Sequence, residues 1–172
     1  MGYDEQSQMW NDLPCVAKPN APLKQTFRGV KKYLQLGIDR RKLILGVPWY
    51  GYVYPCISRT TTGHCQIKSV PFRGCKCSDA AGKEYPYKDV VNLSRTSELR
   101  WDEDSFTPYF DYQSGGQDYQ IWFDDPKSLG IKYDIAQKIG LAGVGMWTAN
   151  FLDYQNQTQI RDMWGAFPAQ LN

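Results

Sequence analysis

Apolar residues recur every three or four positions between residues 23 and 34, which predicts an amphipathic helix with a stop at Gly37. The apolar face of this helix consists of Leu23, Phe27, Val30 and Leu34. The next segment, 42–48 (KLILGVP), is a continuous apolar run of strand length. Because such a run is typical of a parallel strand that is buried on both faces, we predict a strand packed under helices.

The same order of elements recurs after residue 124. Asp125 and Pro126 are a favourable N-cap and first residue of a helix, and Gly140 is expected to end that helix. Residues 141–147 form a second strand of the buried type, and residues 157–167 are predicted to form a last helix. The apolar face of the helix before Gly140 consists of Leu129, Tyr133, Ala136 and Ile139.

The middle of the chain, residues 51–123, differs in character because it holds most of the cysteine and glycine and many tyrosines. Within it, 106–112 and 118–123 flank a Ser-Gly-Gly turn, which predicts a β-hairpin. We therefore divide the chain into three parts. Residues 1–50 hold a strand end, a helix and a strand, residues 51–123 are an α+β insertion, and residues 124–172 hold a helix, a strand and a terminal helix.

This order of strand end, helix, strand, insertion, helix, strand and helix predicts an α/β fold with about three βα units. Part of a (β/α)8 barrel and a doubly wound sheet both fit the pattern. In a βα barrel the strand ends carry the active site, and here those ends hold aromatic and polar side chains. They are Tyr3 and Asp4, then Trp49, Tyr50 and Tyr52, then Trp147 and Asn150. Such a rim suits a carbohydrate cleft, and the alternative is that the aromatic residues merely cap the barrel.

Composition narrows the classes of partner. The net charge is only +2 and no concentrated basic face is evident, so we expect no nucleic-acid partner. No run of 18 apolar residues occurs, so we expect no membrane span. Aromatic residues make up 15% of the chain, which fits either an aromatic core or a sugar-binding surface, and composition alone favours the core.

The cysteines and two sequons indicate an oxidising, secretory route. Of the five cysteines, Cys56 and Cys65 are expected to bridge, whereas Cys75 and Cys77 are too near each other to pair comfortably. The sequons place candidate glycosylation sites at Asn92 and Asn156. The chain nevertheless begins without a signal peptide, so we expect it to be a piece of a longer protein. His64 is the only histidine, and neither a metal site nor a cofactor is expected.

Three motifs resemble family 18 glycoside hydrolases. Met1-Gly2-Tyr3-Asp4 is similar to the motif that ends the sixth barrel strand of that family. Residues 46–51 (GVPWYG) and 143–147 (GVGMW) resemble its seventh and eighth strands, and the insertion between them also matches. Residues 3–8, 70–74 and 77–81 are similar to a subgroup that acts on chitobiose-type oligosaccharides. The resemblance implies the C-terminal part of a (β/α)8 TIM barrel, with an α+β insertion between its last two strands.

The resemblance also implies a lysosomal glycosidase that cleaves β-1,4 linkages of N-acetylglucosamine oligosaccharides. In the implied mechanism the N-acetyl oxygen of the substrate is the nucleophile, and a glutamic acid is the general acid and then the base. Tyr3 and Asp4 would bind the N-acetyl group, and Trp147 would form the floor of the subsite. The full set of residues implied to contact sugar is Met1, Tyr3, Asp4, Trp49, Tyr50 and Trp147.

The chain departs from the family where the acid should be. The family carries it in a D-x-x-D-x-D-x-E motif, and no Asp in this sequence is followed by another Asp three positions later. The run Asp102-Glu103-Asp104 is interpreted as a solvated loop. We therefore expect a chain that is inactive alone and that lacks the N-terminal half of the barrel. A lectin-like sugar-binding protein and an independent small α/β fold are the alternatives.

Overall fold

The computed structural model describes residues 9–168, which form a mixed α/β structure. The helices are α1 (Leu23–Gln35), α2 (Tyr87–Ser94), α3 (Pro126–Ile139) and α4 (Gln157–Gly165). The strands are β1 (Ile44–Pro48), β2 (Tyr50–Pro55), β3 (Ser58–Arg59), β4 (Cys65–Gln66), β5 (Lys83–Pro86), β6 (Arg100–Asp102), β7 (Thr107–Ser114), β8 (Gln117–Phe123) and β9 (Gly143–Trp147). Met1, Tyr3 and Asp4 lie outside the described residues.

The two apolar runs form a parallel pair, β1 with β9, in which Ile44 is opposite Gly143 and Pro48 is opposite Trp147. A helix precedes each strand, as the sequence pattern predicts. The predicted start of α3 is confirmed, because Asp125 and Ser128 cap its first turn reciprocally. Its predicted end is confirmed too, since Gly140 adopts a left-handed conformation at φ 76°.

Burial of β1 on both faces was the wrong expectation. Leu45 and Val47 are buried in the core, but Ile44 is 67% exposed. On β9 the last residue, Trp147, is 53% exposed. Within residues 9–168 the helices cover the face of the pair that carries Leu45 and Val47, while the first residue of β1 stays exposed. A run of apolar residues in a strand does not show whether both faces of that strand are covered by other parts of the same chain.

Residues 50–123 contain an antiparallel sheet with the strand order β5-β2-β8-β7-β6. The predicted hairpin is its β7–β8 pair, and the turn holds Gly115 at φ 58° and Gly116 at φ 79°. Two successive residues with positive φ are what a two-residue hairpin turn with the twist of its strands requires. β2 follows β1 after a single residue, Trp49, so the chain passes directly from the parallel pair into this sheet.

Two disulfides fix the loops on one face of the sheet. Cys56 and Cys65 are bridged with a Cα separation of 5.2 Å, which confirms the predicted pairing. Cys77 pairs with Cys15, and Cys75 is a free thiol, in agreement with the expectation that Cys75 and Cys77 do not pair with each other. The second bridge joins the segment before α1 to the middle of the chain.

The main core lies between the sheets and helices α2, α3 and α4, and it includes Val47, Phe110, Leu129 and Met163. A charged pair is enclosed beside it, since Lys132 and Asp124 are both fully buried with 2.6 Å between Nζ and Oδ2. Ser128 donates its hydroxyl to the same carboxylate, which helps to satisfy the buried charge. Because Asp124 follows β8 directly, this pair ties the sheet to α3.

Candidate functional site

The carboxyl ends of β1 and β9 form a rim where the sequence places its candidate residues. Pro48 and Trp147 are opposite each other at the ends of the two strands. The backbone N–H of Trp49 donates to the carbonyl oxygen of Trp147 over 2.7 Å, which extends the pairing by one step. The two tryptophan backbones are therefore held side by side at this rim.

Trp147 is the open aromatic residue of this rim. Its side chain is 53% exposed, and Asn150, in the short turn that follows, is also exposed. The peptide bond between Trp147 and Thr148 is cis. An exposed indole on a strand held by regular hydrogen bonds offers a flat apolar face in a fixed position, and a sugar ring stacks on such a face through its C–H groups.

For Trp49 the expectation of direct sugar contact needs correction, because its side chain is fully buried. The indole meets Trp164 edge-on at 5.0 Å between ring centroids and lies 6.1 Å from Phe167. The carbonyl of Trp49 also accepts a hydrogen bond from the Tyr87 backbone at 3.2 Å. Trp49 therefore supports the rim from below and presents no surface to a ligand.

Tyr50 requires the same correction, since it is only 1% exposed. Its ring lies 6.3 Å from Phe151, which follows the Trp147 strand, and 6.3 Å from Tyr52. Tyr52 is half-buried and stacks on Tyr54 at 5.7 Å. These rings form one continuous row that joins the end of β9 to the first strand of the antiparallel sheet, and Tyr52 is its more accessible member.

Phe151 is the residue of this row that sequence reasoning missed. It lies in the 3₁₀ turn Ala149–Phe151, four residues beyond the end of β9, and its edge faces Tyr50. The signal for it was available, because Phe151 follows the Trp147 motif closely in the sequence. The predicted convergence of Tyr3 and Asp4 with Trp147 stays a prediction, because the first two lie outside the described residues.

Among the carboxylates of the described part of the chain, Asp125 has a pKa raised by burial, with Asp124 contributing a smaller upward effect. A general acid needs such a raised pKa. Asp125 nevertheless accepts the backbone N–H of Ser128 at 2.8 Å as the N-cap of α3. Its carboxylate is committed to the start of that helix. The acidic run begins at Asp102, the last residue of β6, and continues into a turn at 103–104. Asp102 accepts a hydrogen bond from the Ser105 backbone at 2.8 Å.

Residues 1–151 match the sequence model of the glycosyl hydrolases of family 18. The chain belongs to glycosyl hydrolase family 18.

Three relatives have sequences similar to this family 18 chain. It is 43% identical to di-N-acetylchitobiase of Rattus norvegicus and 42% identical to that of Homo sapiens, over 99% of this chain in both cases. It is 42% identical to probable di-N-acetylchitobiase 2 of Dictyostelium discoideum over 96% of this chain. The aligned parts cover 48%, 46% and 46% of those relatives, so the chain spans about half of their length.

Solved structures share the fold at lower identity. A family 18 chitinase of Cycas revoluta, a mutant in complex with (GlcNAc)4, aligns with a TM-score of 0.71 at 18% identity. That alignment covers 96% of this chain and 44% of the chitinase. A chitinase-like agglutinin of Robinia pseudoacacia aligns with a TM-score of 0.67 at 23% identity, over 98% of this chain and 46% of the agglutinin.

The two sequons of this family 18 chain lie in different settings. Asn92 is exposed on α2. Asn156 is the N-cap of α4, where its side-chain oxygen accepts from the Gln159 backbone at 3.1 Å. Glycosylation at either position remains a prediction.

Two further kinds of feature, a metal-binding cluster and a membrane-spanning helix, are absent from residues 9–168. No cluster of three His, Cys, Asp or Glu side chains has a geometry that would hold a metal ion. No helix in that range combines the length and the apolar character that crossing a membrane requires.

Proposed function

We propose that the chain is the C-terminal part of a (β/α)8 barrel in a lysosomal glycosidase that hydrolyses β-1,4 linkages between N-acetylglucosamine units. The similarity to the di-N-acetylchitobiases supports this substrate class. The observation that carries the proposal is the exposed Trp147 at the carboxyl end of β9, beside the end of β1. In a barrel that edge faces the substrate.

We infer the roles of these residues from the resemblance to family 18. Trp147 stacks on the sugar ring, while Tyr3 and Asp4 hydrogen-bond the N-acetyl group, whose oxygen attacks the anomeric carbon. Trp49 contacts no sugar and instead fixes the backbone of Trp147 through the 2.7 Å hydrogen bond.

Positioning of the substrate does not complete the reaction, because the leaving oxygen must be protonated. General acid catalysis contributes roughly 10²- to 10⁴-fold to such reactions. The family motif that supplies the acid is absent from the 172 residues, so this chain alone binds the sugar without cleaving it. Hydrolysis requires a partner that carries the acid, namely the N-terminal half of the barrel.

The open side of the parallel pair supports such a partner. Ile44 is 67% exposed, and in the described residues β1 and β9 each pair with one strand only. A large exposed aliphatic side chain next to unpaired strand edges is the surface that further barrel strands would cover. We infer that the N-terminal half of the barrel packs there.

A lectin-like role is the second candidate. It is supported by the exposed Trp147, which can stack on a sugar ring with or without a catalytic acid. The two candidates share the sugar-binding rim and differ in whether an acid-bearing partner restores hydrolysis.

The experiment that tests the rim is equilibrium binding of tri-N-acetylchitotriose by the purified chain. Replacing Trp147 by alanine should weaken binding at least about tenfold, as expected for a central aromatic contact. Phe72→Ala is the matched control, because Phe72 is 41% exposed but lies on a hairpin in the insertion. Equal binding by the Trp147→Ala variant and the unmodified chain would overturn the proposed rim.

A further inference from the structure

A cavity of about 530 Å³ lies between the segment before α1 and the antiparallel sheet, and its lining shares no residue with the Trp147 rim. Its walls come from 16–19, from the first turn of α1 at Lys24 and Gln25, and from His64 and Ser105. Trp122 closes its floor. The volume falls within the range of pockets that bind small molecules, roughly 300–1,000 Å³.

The walls of this cavity are held by covalent and backbone links. Cys15 is bonded to Cys77 immediately before the wall segment 16–19 begins. The backbone N–H of Ala17 donates to Cys65 over 2.9 Å, and that of Leu23 donates to Ser105 over 2.9 Å. A cavity with fixed walls binds a ligand without the cost of ordering loops around it.

The charges around the cavity are already paired. Lys24 lies 3.2 Å from Asp104, and Lys18 lies 3.4 Å from Asp12 while its ammonium also sits over the Trp10 ring. The edge of the cavity therefore has no unpaired lysine that would bind a phosphate or a carboxylate. The hydrogen-bonding side chains that remain are Gln25 and His64, above an apolar lining.

The apolar lining consists of Val16, Ala17, Pro19, Pro22 and Trp122. A neutral molecule with an apolar face and a rim of hydroxyl or amide groups matches this arrangement. A pyranose has both features, because its axial C–H groups form a flat apolar face and its hydroxyl groups project around the edge.

The cavity and the aromatic row of the rim are connected by the neighbouring strands β8 and β2. Trp122 on β8 is the register partner of Tyr52 on β2, so both side chains are on the same face of the sheet. Neighbouring strands are about 4.8 Å apart. Trp122 is also stacked on Tyr109 at 4.4 Å, which fixes the plane of its ring.

We propose that this cavity is a second saccharide site, separate from the Trp147 rim, which takes a neutral N-acetylglucosamine unit. Gln25 and His64 donate or accept hydrogen bonds at the sugar edge, and the half-buried Val16 and Pro19 of the lining contact its apolar face. The choice of sugar rests on the proposed function, whereas the neutral, ring-shaped character of the ligand rests on the cavity itself.

The single histidine of the chain provides a reporter inside the cavity. Titration of the full chain, isotope-labelled at histidine and tryptophan, with tri-N-acetylchitotriose should shift the imidazole signals of His64 saturably. Gln25→Leu should weaken that response roughly three- to tenfold, the loss expected for one neutral hydrogen bond. Gln35→Leu, at the far end of the same helix, and Trp147→Ala should leave it unchanged.

The two proposals fail in different ways. A silent His64 with a responding Trp147 indole would overturn the second site and leave the rim intact. A responding His64 with a silent Trp147 would support the second site and overturn the proposed rim. Silence of both signals would overturn both, and an equal loss of the His64 response in the Gln25→Leu and Gln35→Leu variants would remove the assigned role of Gln25.

Discussion

Trp49 donates its backbone N–H to the carbonyl oxygen of Trp147 over 2.7 Å, yet the two side chains lie in opposite environments. The indole of Trp49 is fully buried against Trp164, whereas that of Trp147 is 53% exposed. One tryptophan thus belongs to the core and the other to the surface, although their backbones are hydrogen-bonded neighbours. We therefore expect Trp49 to contribute to the stability of the fold and Trp147 to contribute to binding.

The first prediction uses that contrast. Trp49→Ala should lower the free energy of unfolding by about 3–5 kcal/mol, because it leaves a large cavity in the core. Trp147→Ala should change it by less than about 1 kcal/mol, since the side chain is already half in water. Urea denaturation followed by circular dichroism measures both. A larger loss of stability for Trp147→Ala than for Trp49→Ala would contradict the assigned positions.

The second prediction concerns the disulfides. The Cys15–Cys77 bridge spans a sequence separation of 62 and the Cys56–Cys65 bridge a separation of 9. In the chain-entropy account, removing the long-range bridge should cost about 4 kcal/mol and removing the short-range one about 2.5 kcal/mol. The free energy of unfolding is compared between the variants Cys15→Ala/Cys77→Ala and Cys56→Ala/Cys65→Ala under non-reducing conditions. Cys75→Ser is the control and should change it little. A greater cost for the shorter loop would refute this order.

Apolar patterns and turn residues located α1, β1, the β7–β8 hairpin, α3, β9 and α4, because the ends of these elements are local signals. They did not predict α2 or the strands β2 to β6. Asp125 and Pro126 begin α3, Gly140 ends it, and Gly115-Gly116 marks the hairpin turn. Each of these signals acts through the conformation of one or two residues. Sequence reasoning therefore found these elements, and the sugar-binding role of the Trp147 rim stays a prediction.

The burial of particular side chains could not be found in that way. Trp49 is enclosed by Trp164 and Phe167 from the other end of the chain, and Ile44 is exposed because no described layer covers it. The pairing of Cys77 with Cys15 likewise depends on how the segment before α1 crosses the sheet. These outcomes are set by long-range packing, which periodicity does not encode.

The third prediction concerns Asp125, whose pKa burial raises above its ordinary value of 3.8. The folded chain therefore holds this proton more tightly than the unfolded chain. Between the two pKa values, the contribution of Asp125 to the free energy of unfolding falls as the pH rises. Asp125→Asn keeps a capping oxygen without the charge, so its stability relative to the unmodified chain should improve as the pH rises from about 3 to 7.

Asp125→Ala provides the contrast for this site. It removes the cap to Ser128 and should cost about 1 kcal/mol at neutral pH. Asp134→Asn, exposed on the same helix, serves as the control for the substitution itself. Thermal unfolding across the pH range gives the stability of all three variants relative to the unmodified chain. If Asp125→Asn were as unstable as Asp125→Ala at pH 7, the buried charge would not be the dominant effect.

The fourth prediction concerns association of the isolated chain. We expect self-association that depends on protein concentration, because the β1–β9 pair has open edges and an exposed Ile44 beside them. Ile44→Lys should weaken it about tenfold or more, since burial of an isoleucine contributes about 1.5–3 kcal/mol. Ile57→Lys is the matched control, at 65% exposure outside that pair. Sedimentation velocity measures the effect, and a monodisperse monomer with a sharp thermal transition would refute it.

The central claim is that this chain holds the sugar-binding rim and depends on a partner for the catalytic acid. It is tested by release of N-acetylglucosamine from di-N-acetylchitobiose at mildly acidic pH. The purified chain is assayed alone, and again with the preceding half of a di-N-acetylchitobiase that carries the D-x-x-D-x-D-x-E motif. We predict no turnover above a heat-killed control for the chain alone and measurable turnover for the pair. No turnover by a stably associated pair would favour the lectin-like alternative. Turnover by the chain alone, abolished by Asp4→Ala, would contradict the account and place the acid within this chain.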